Sequence, residues 1–379
     1  MVDVLIAGAG PAGAIAAVIL ARAGARVLLV DRARFPRDKL CGDTLNPGAV
    51  AFLHALGLSG GVCDRALRLR GMRVTGPGAA VSTRYPDAII GLALQRRDFD
   101  EWLLSHAIRA GARFEGGIAV RRPLTEGPSG AAVVKGLVVA GERTNSRELR
   151  LPATLTIAAD GRRSLLARSL GLSRQTRAPR RWAFGAYAAG VAGMTDLGEM
   201  HVRATGYVGV APLPDGLINV CVVTGPRPAG RTPAEVIQTA LERDEELRAR
   251  FAGARFVSPA RVLGPLAADV RAPGCDGLLL AGDAAGFVDP MTGDGLHLAM
   301  QGAALAAAEA LHVLEAGDVR GAVARLETAR RRALGGKLRF NRAVRWLVDR
   351  PAAIDVASLG ARLAPVLIRR AIHYAGDAR

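Results

Sequence analysis

The fold is decided by residues 2–31, which read VDVLIAGAGPAGAIAAVILARAGARVLLVD. Residues 2–7 have the apolar character of a buried parallel strand, and residues 11–23 are long enough to form a helix. A second buried strand covers residues 26–30 and ends at Asp31. Strand, helix and strand within about thirty residues predict a βαβ unit of a parallel sheet.

The turn between the first strand and the helix reads GAGPAG over residues 8–13. Glycines at the first, third and sixth positions permit a tight turn and a close backbone approach, and the helix N-terminus supplies about half a positive charge to a pyrophosphate. Asp31 lies 18 residues past Gly13, where its carboxylate can accept hydrogen bonds from an adenosine ribose. The segment therefore predicts a dinucleotide site.

Two later segments also pass from a strand into a helix. Residues 157–164 read IAADGRRS, and residues 280–286 read LAGDAAG. Asp283 closes its strand, so its carboxylate can bind a ribityl hydroxyl. The amides of residues 293–296 begin an Ala-rich helix and can meet a polarised ring oxygen.

In this order and at these distances, the three motifs resemble the flavoprotein superfamily of aromatic hydroxylases, flavin-dependent halogenases and geranylgeranyl reductases. That superfamily binds FAD. The chain is most similar to the geranylgeranyl reductase branch, through FPRDKLCGD at residues 35–43, FDEWL at residues 99–103 after Arg96, and GDAAGFVDP at residues 282–290. The resemblance covers roughly residues 2–315 and implies an FAD-dependent enzyme.

The resemblance also implies which residues contact FAD. The pyrophosphate would lie against Gly8, Gly10, Ala12 and Gly13. The adenosine ribose would bind Asp31 with Arg32 beside it, the Val120 backbone would touch adenine, and Arg96 would reach the phosphates. The ribityl and ring portion would be held by Asp283, Gly293, Gly295 and Leu296, with Cys41 and Gly42 facing the ring and Asp160 closing the site.

Two residues of the 35–43 loop are candidate catalytic groups. The Cys41 thiol beside a flavin can donate a proton, although a free cysteine is also often a small buried apolar residue. Asp43 is a candidate for positioning or proton transfer. Arg37 and Lys39 can bind the phosphate of a nicotinamide cofactor or remain solvated.

The expected substrate pocket is formed by residues 207–212, which read YVGVAP. The reductase branch usually has Tyr-x-Trp-x-Phe-Pro here. The residues that we assign to the pocket are Tyr207, Gly209, Ala211 and Pro212. Because Gly209 and Ala211 replace two large rings, we expect a wider or reshaped pocket.

The predicted architecture is α/β: a doubly wound, Rossmann-type FAD-binding domain interleaved with an antiparallel-sheet substrate domain, followed by a helical C-terminus. Strand-like runs separated by Gly and Pro predict the antiparallel sheet within residues 180–223. The FAD-binding domain is assigned residues 1–75, 96–175 and 266–320. The substrate domain is assigned residues 76–95 and 176–265, and the helical segment residues 321–379.

Composition excludes several classes of protein. Half of the 379 residues are apolar and 22% are charged, which excludes an intrinsically disordered chain. The net charge is +17 and 48 of the 51 basic residues are arginines, dispersed rather than clustered with aromatics. This pattern favours small anions or an acidic membrane surface over nucleic acid.

Cysteine spacing and hydropathy indicate in which cellular compartment the protein is expected. The four cysteines are far apart in the sequence, which favours a reducing cytoplasm. We expect neither a structural zinc site nor disulfides, and no other metal. Residues 4–21 carry no charge, but their glycines favour a strand, a turn and a helix over a membrane span. Residues 338–374 mix apolar side chains with arginines, so they predict either a lid on the core or a helix at a membrane surface.

The functional hypothesis is an FAD-dependent oxidoreductase that acts on a hydrophobic small molecule. The first candidate reaction is hydride transfer from reduced flavin to a C=C bond of a prenyl-type lipid. The alternative is a monooxygenase that hydroxylates an aromatic or polyketide-like ring through a C4a-hydroperoxyflavin. A basic surface-binding protein without activity is the non-enzymatic alternative. Because there is one dinucleotide fingerprint, NAD(P)H would bind only transiently. The oligomeric state stays open.

Overall fold

The structure is a computed structural model and describes residues 2–40, 42–58, 60–128, 132–141, 147–174 and 181–378. The strands are β1 (Val2–Ala7), β2 (Val27–Asp31), β3 (Thr44–Leu45), β4 (Leu67–Leu69), β5 (Gly71–Gly76), β6 (Ala79–Arg84), β7 (Gly91–Ala93), β8 (Arg113–Gly116), β9 (Ile118–Glu126), β10 (Val133–Gly141), β11 (Leu149–Ala158), β12 (Ser173–Arg174), β13 (Trp182–Ala189), β14 (Leu197–Arg203), β15 (Gly206–Pro212), β16 (Leu217–Thr224), β17 (Arg255–Phe256), β18 (Arg261–Leu263), β19 (Asp269–Val270), β20 (Gly274–Cys275) and β21 (Leu278–Leu280).

The helices alternate with these strands in the first half of the chain and dominate its end. They are α1 (Pro11–Arg22), α2 (Pro47–Ala55), α3 (Val62–Arg65), α4 (Arg96–Arg109), α5 (Leu165–Ser169), α6 (Pro233–Glu242), α7 (Glu245–Phe251), α8 (Gly295–Ala316), α9 (Ala322–Val348), α10 (Pro351–Leu363) and α11 (Pro365–Gly376).

A parallel sheet in the order β8-β2-β1-β11-β21 forms the first layer, and β20 joins its edge antiparallel. In the central strands, Ile6 is paired with Leu29 on one side and with Ile157 on the other. The β9–β10 hairpin extends from β11. This register brings the ends of β1, β2, β11 and β21, with the motifs that follow them, to one edge of the sheet.

Alternation of side chains along β1 gives the parallel sheet two buried faces. Val4 and Ile6 pack in a core with α1, α4 and α8, whereas Leu5 and Ala7 pack in a second core with α5 and the β9–β10 hairpin. The first core is rich in alanines from α1 and α8. Such small side chains let these two helices pack closely.

An antiparallel sheet in the order β17-β13-β16-β15-β14-β5-β6 forms the second unit of structure, and β18 also pairs with β13. Its outer face packs on α6 and α7 through Phe184, Val220 and Ile237. Its inner face, which includes Tyr207, packs towards α9 and α10 through Val348 and Ile354. The sheet therefore packs on α6 and α7 with one face and is turned towards α9 and α10 with the other.

The predicted fold class is confirmed: the structure combines a Rossmann-like parallel sheet, an antiparallel sheet and a helical C-terminus. The strand β5 lies in the antiparallel sheet, although the sequence division assigns residues up to 75 to the other unit. The division into domains stays a prediction. Among the described residues, no single helix has the length and hydropathy that a membrane span requires.

Candidate functional site

A cavity of about 600 Å³ lies between the edge of the parallel sheet and the inner face of the antiparallel sheet. One end is formed by the beginnings of α1 and α8, and the wall opposite the antiparallel sheet is formed by α9, α10 and α11. The cavity brings together predicted residues from distant parts of the chain. They are Gly10, Ala12, Gly42, Arg96, Tyr207, Gly209, Ala211, Asp283, Gly293, Gly295 and Leu296.

The β1–α1 turn requires glycine at two positions and leaves a third open. A Cβ atom on Gly13 would lie 1.8 Å from Gly8 O, and one on Gly8 would lie 2.4 Å from Ala159 O. At Gly10, a Cβ atom would meet Arg37 Nη2 at 3.4 Å and no other atom of the described residues within 4 Å. Gly8 and Gly13 therefore shape the turn, while Gly10 leaves its outer surface available to a bound group.

Asp31 ties this turn to the end of β2. Its Oδ2 accepts a 2.8 Å hydrogen bond from the Ala9 amide, and its Oδ1 accepts one of 2.8 Å from the Ala33 amide. The neighbouring Arg32 is exposed. The carboxylate consequently stands at the turn, as the resemblance implies for a ribose-binding residue, and also stabilises the loop itself.

The N-terminus of α8 faces the same cavity as that of α1. Gly293 has φ 70°, in the left-handed region, and precedes the helix whose first residues are Gly295 and Leu296. Asp283 lies in the turn after β21, with Arg162 Nε 4.0 Å from its Oδ2. Two helix N-termini and one carboxylate thus meet at one end of the cavity.

Arginine and lysine side chains surround the same end. Arg96 Nε and Nη2 donate to the two oxygens of Asp100 at 2.8 and 2.9 Å, and Arg37 Nη2 lies 3.0 Å from Asp100 Oδ2. Lys39 lines the cavity, and both its burial and the charge of Arg96 lower the pKa of its ammonium group. This end of the cavity is suited to an anion such as a diphosphate.

The candidate catalytic residues have different outcomes. Cys41 lies outside the described residues, so its role stays a prediction. Asp43 is buried behind the cavity wall, where its Oδ1 accepts a 3.0 Å hydrogen bond from the Arg96 amide and its Oδ2 accepts one from Asn219 Nδ2. Burial raises the pKa of Asp43 to about 6, although hydrogen bonds from Tyr187 and Asn219 act in the opposite direction. Its proton-transfer role stays a prediction.

The pocket residues of β15 are divided by the strand's alternation. Tyr207, Gly209 and Ala211 line the cavity, whereas Pro212 does not. A Cβ atom on Gly209 would have Cys221 O at 3.8 Å and Met200 Cε at 3.9 Å as its nearest neighbours. The two small residues therefore leave space that larger rings would fill.

Six described residues that the resemblance assigns to FAD lie outside the cavity lining: Gly8, Gly13, Asp31, Arg32, Val120 and Asp160. Val120 is in β9, beside the second core cluster. Asp160 Oδ2 accepts a 2.8 Å hydrogen bond from the Leu165 amide at the start of α5, and burial raises the pKa of Asp160. Asp160 thus orders the turn after β11, next to Ala159, which does line the cavity.

Sequence reasoning missed much of the cavity wall. Asn219, whose amide joins Asp43 to the wall, carries no motif that could have identified it. The individual lining residues of β5, β6 and the C-terminal helices were also missed, since their apolar positions resemble any core pattern, although a lid on the core was one of the two predictions for residues 338–374. The lining residues from these elements include Met72, Val74, Val81, Phe340, Val344, Leu347, Ile354, Ala357, Ile368 and Ile372.

The donor set fits the FAD that the resemblance implies. Among the side chains that the structure describes, none caps the first amides of α1 or α8, and both helix beginnings line the cavity. A Cβ atom on Gly293 would meet nothing within 4 Å. Unpartnered helix amides at one end, open glycine surfaces and an adjoining apolar chamber match a ligand with a diphosphate and a flat ring.

One cluster in the described part of the chain has metal-ligand chemistry: Glu199, His201 and Glu246, whose ligand atoms lie within 4.8 Å of one another. Arg250 donates to both oxygens of Glu199 at 2.6 and 2.9 Å, and Arg73 pairs with Glu246. Burial would raise the pKa of Glu199, but hydrogen bonds from His201 and Arg250 lower it to about 2. The guanidinium groups of Arg250 and Arg73 thus balance the negative charges of Glu199 and Glu246.

Comparison with known proteins gives a consistent result. The sequence profile of a family described as an FAD binding domain matches residues 1–335. Menaquinone reductase from Mycobacterium tuberculosis is 35% identical over 330 residues, which are 80% of this chain and 75% of that protein. Digeranylgeranylglycerophospholipid reductase 2 from Methanothermobacter thermautotrophicus is 30% identical over 360 residues, 92% of this chain and 88% of that protein.

Solved structures share the fold. A geranylgeranyl bacteriochlorophyll reductase-like protein from Thermoplasma acidophilum has a TM-score of 0.81 at 22% identity, with 94% of this chain and 90% of that chain covered. The flavin-dependent brominase Bmp2 has a TM-score of 0.84 at 20% identity, with 99% and 93% covered. At these identities the structural likeness concerns the fold alone.

Proposed function

The chain belongs to the FAD binding domain family, and on this basis we propose that it saturates a carbon–carbon double bond in the chain of a prenylated lipid. It is an FAD-binding oxidoreductase. The proposal concerns its substrate class, its reaction and its electron donor.

The observation that carries the proposal is the continuity of the cavity. It runs from Asp283 and the start of α8, where the resemblance places the ribityl chain and the ring, to an apolar chamber lined by Val74, Leu347 and Ile372. A long hydrocarbon chain is the ligand that such a chamber binds favourably, since burial of apolar surface contributes about 25 cal/mol per Å². A compact polar substrate would leave most of that lining without contacts.

The names of the relatives support the same substrate class. Menaquinone reductase and digeranylgeranylglycerophospholipid reductase are both reductases, and the second name refers to a lipid with geranylgeranyl chains. The present chain aligns with each over at least 80% of its own length.

In the proposed reaction, bound FAD supplies a two-electron carrier. The residues of the chain hold the double bond beside it and exclude water, and Gly209 and Ala211 leave room for the methyl branches of a prenyl chain. A hydride and a proton together add two hydrogens to the double bond. Asp43 has a pKa of about 6 and is therefore protonated below that pH. It is our candidate for the group that holds this proton, next to Asn219 in the cavity wall.

NAD(P)H is the proposed electron donor, with transient binding. The sequence has a single dinucleotide fingerprint, at residues 8–13, and FAD would fill it. NAD(P)H would therefore have no dinucleotide-binding motif of its own and would bind transiently. Lys39 and Arg96 line the cavity and are basic side chains there that can attract phosphate groups.

The test compares the masses of products from two reactions. Reduced holoenzyme is mixed without oxygen with a detergent-solubilised polyprenyl lipid that has no quinone ring, so that added hydrogens report on the double bonds of the chain. A parallel sample contains heavy-isotope oxygen. A product that gains two hydrogens in the anaerobic sample supports the reductase. A product that carries the labelled oxygen, formed only in air, would establish the monooxygenase instead.

A further inference from the structure

The junction of α10 and α11 exposes an unusual amount of apolar surface. We name residues 356–367 the elbow; there the two helix axes bend by 110°. Its outer side exposes five large apolar side chains, two of them, Val356 and Leu363, by 71% and 78%. The exposed set is Val356, Leu359, Leu363, Val366 and Leu367. Large contiguous apolar surfaces of this kind mark interaction sites.

The inner side of the same two helices forms the wall of the cavity. Ala357 and Ala361 of α10 and Ile368 and Ile372 of α11 line it. These helices therefore have apolar side chains on both sides, and a wall one helix thick separates the cavity from the exposed apolar surface. A helix that only closed a core would carry polar residues on its outer side.

Basic residues predominate around the elbow, and Asp355, immediately before it, is the nearest acidic residue along the sequence. Arg362, Arg369 and Arg370 are exposed, and residues 356–370 contain no acidic residue. Arg362 Nε donates a 2.6 Å hydrogen bond to Gly78 O, which anchors the elbow to the β5–β6 turn. Exposed leucines between exposed arginines match the boundary between the acyl chains and the anionic headgroups of a bilayer.

We propose that the elbow docks on the surface of a bilayer that contains anionic lipids. Val356, Leu359, Leu363, Val366 and Leu367 enter the acyl boundary, and Arg369 and Arg370 contact phosphate headgroups. The docked orientation places the helical wall of the cavity against the lipid phase. That consequence deepens the proposed function and rests on it, whereas docking itself does not require any reaction.

A second copy of the chain is a poorer occupant of this surface. In a twofold contact, the same patch meets itself. The convex elbow would then face another convex elbow, and Arg369 and Arg370 would face the same arginines of the other copy. A membrane adapts to a convex surface and supplies the opposite charge.

The experiment is co-sedimentation of the holoenzyme with extruded vesicles that contain no substrate. One set is phosphatidylcholine alone, and the other also contains phosphatidylglycerol. We expect binding to the anionic vesicles that weakens in high salt, because salt screens exposed charges. The double variant Arg369→Gln/Arg370→Gln should lose about 25-fold in affinity for anionic vesicles, since each basic residue near such a surface contributes about fivefold.

The apolar contribution is tested with Leu359→Ser/Leu363→Ser/Leu367→Ser, which should lower binding at least tenfold on both vesicle types. The matched control is Phe256→Ser/Val257→Ser, which alters two exposed apolar residues at the end of β17, outside the elbow. This variant should bind like the unaltered protein. Flavin content and melting temperature confirm that each variant is folded.

Three outcomes would overturn the proposal: no binding of the unaltered protein to anionic vesicles, equal binding by the triple leucine variant, or a dimer in light scattering that this variant abolishes. The last outcome would assign the elbow to a second copy. Because no substrate is present, a failure here is distinct from a failure of the solubilised-substrate reaction.

Discussion

The Tyr207 hydroxyl donates a 2.6 Å hydrogen bond to Asp289 Oδ1, and this bond joins the antiparallel sheet to the turn that leads into α8. Arg181 Nη1 lies 3.6 Å from the other oxygen of Asp289, and Arg181 Nε donates to Asp349 Oδ1 at 2.8 Å. One buried cluster thus connects β15, the turn before α8 and the end of α9. Tyr207 also lines the cavity.

Replacement of Tyr207 by Phe should destabilise the protein. The change leaves Asp289 without its hydroxyl donor in a buried position, so we expect a loss of about 2 kcal/mol in the free energy of unfolding. Urea denaturation of the flavin-loaded protein measures it. Tyr85→Phe is the control, because no hydrogen bond to the Tyr85 hydroxyl is present among the described residues. Equal effects of the two changes would contradict the importance of the Asp289 contact.

Gly10→Val should produce colourless protein that remains folded. The valine side chain would project from the open surface of the turn, where Arg37 Nη2 is the one neighbour within 4 Å of a Cβ atom. Absorbance at flavin wavelengths and circular dichroism separate cofactor loss from unfolding. By contrast, Gly13→Ala should disrupt folding, since its Cβ would overlap Gly8 O. Full flavin content in Gly10→Val would refute this assignment of the pyrophosphate site.

Asp43→Asn tests the proposed proton store. Since the pKa of Asp43 is raised to about 6, the carboxyl is protonated below that pH and loses its proton above it. We expect turnover to fall about tenfold per pH unit above 6 in the unaltered enzyme. The variant should have a lower turnover rate, and that rate should not fall in this way above pH 6. Turnover rates measured from about pH 5 to 9, with the bound flavin quantified, provide the test. If turnover of the variant falls above pH 6 as in the unaltered enzyme, Asp43 is not the proton donor.

Glu199→Gln should change the acid stability of the protein. The pKa of Glu199 is lowered to about 2 from an ordinary 4.5, so its ionised form stabilises the fold above pH 4.5 and this contribution is lost as the pH falls towards 2. The variant should be less stable at pH 7 and less sensitive to acid. Urea unfolding at several pH values measures both effects. Glu101→Gln, on the exposed side of α4, should behave like the unaltered protein.

Gly209→Trp tests whether the space beside β15 holds substrate. The indole would occupy the open volume next to Met200 and Cys221, so we expect the KM for a long prenyl chain to rise by about tenfold or more while flavin content stays constant. Gly225→Trp places the same ring outside the cavity and is the control. Unaltered kinetics in Gly209→Trp would place the substrate elsewhere in the cavity.

Much of the flavin end of the site could be predicted from sequence because its determinants are local. Gly8, Gly10 and Gly13 stand within six residues, and the close packing of one tight turn requires glycine at two of these positions, Gly8 and Gly13. The helix α8 begins at Gly295, within residues 293–296, whose amides were predicted to begin it. The strands β1 and β2 also match the periodicity of the sequence.

The remainder depends on contacts between residues far apart in the chain. Asn219 reaches Asp43 across 176 positions, and Asn46 Nδ2 donates to Ala375 O across 329. Nothing in the local pattern of residues 351–376 distinguishes helices that close a cavity from helices that pack on any core.

The sequence by itself thus determined a βαβ unit, the open turn at Gly10 and the order of the flavin motifs, since strand alternation, helix length and glycine backbone freedom act over a few neighbouring residues. Tertiary structure alone decided the cavity's apolar wall, the burial that raises the pKa of Asp43 and the exposure of Leu363. Burial and exposure are properties of packing between elements, and packing is settled only when the whole chain has folded.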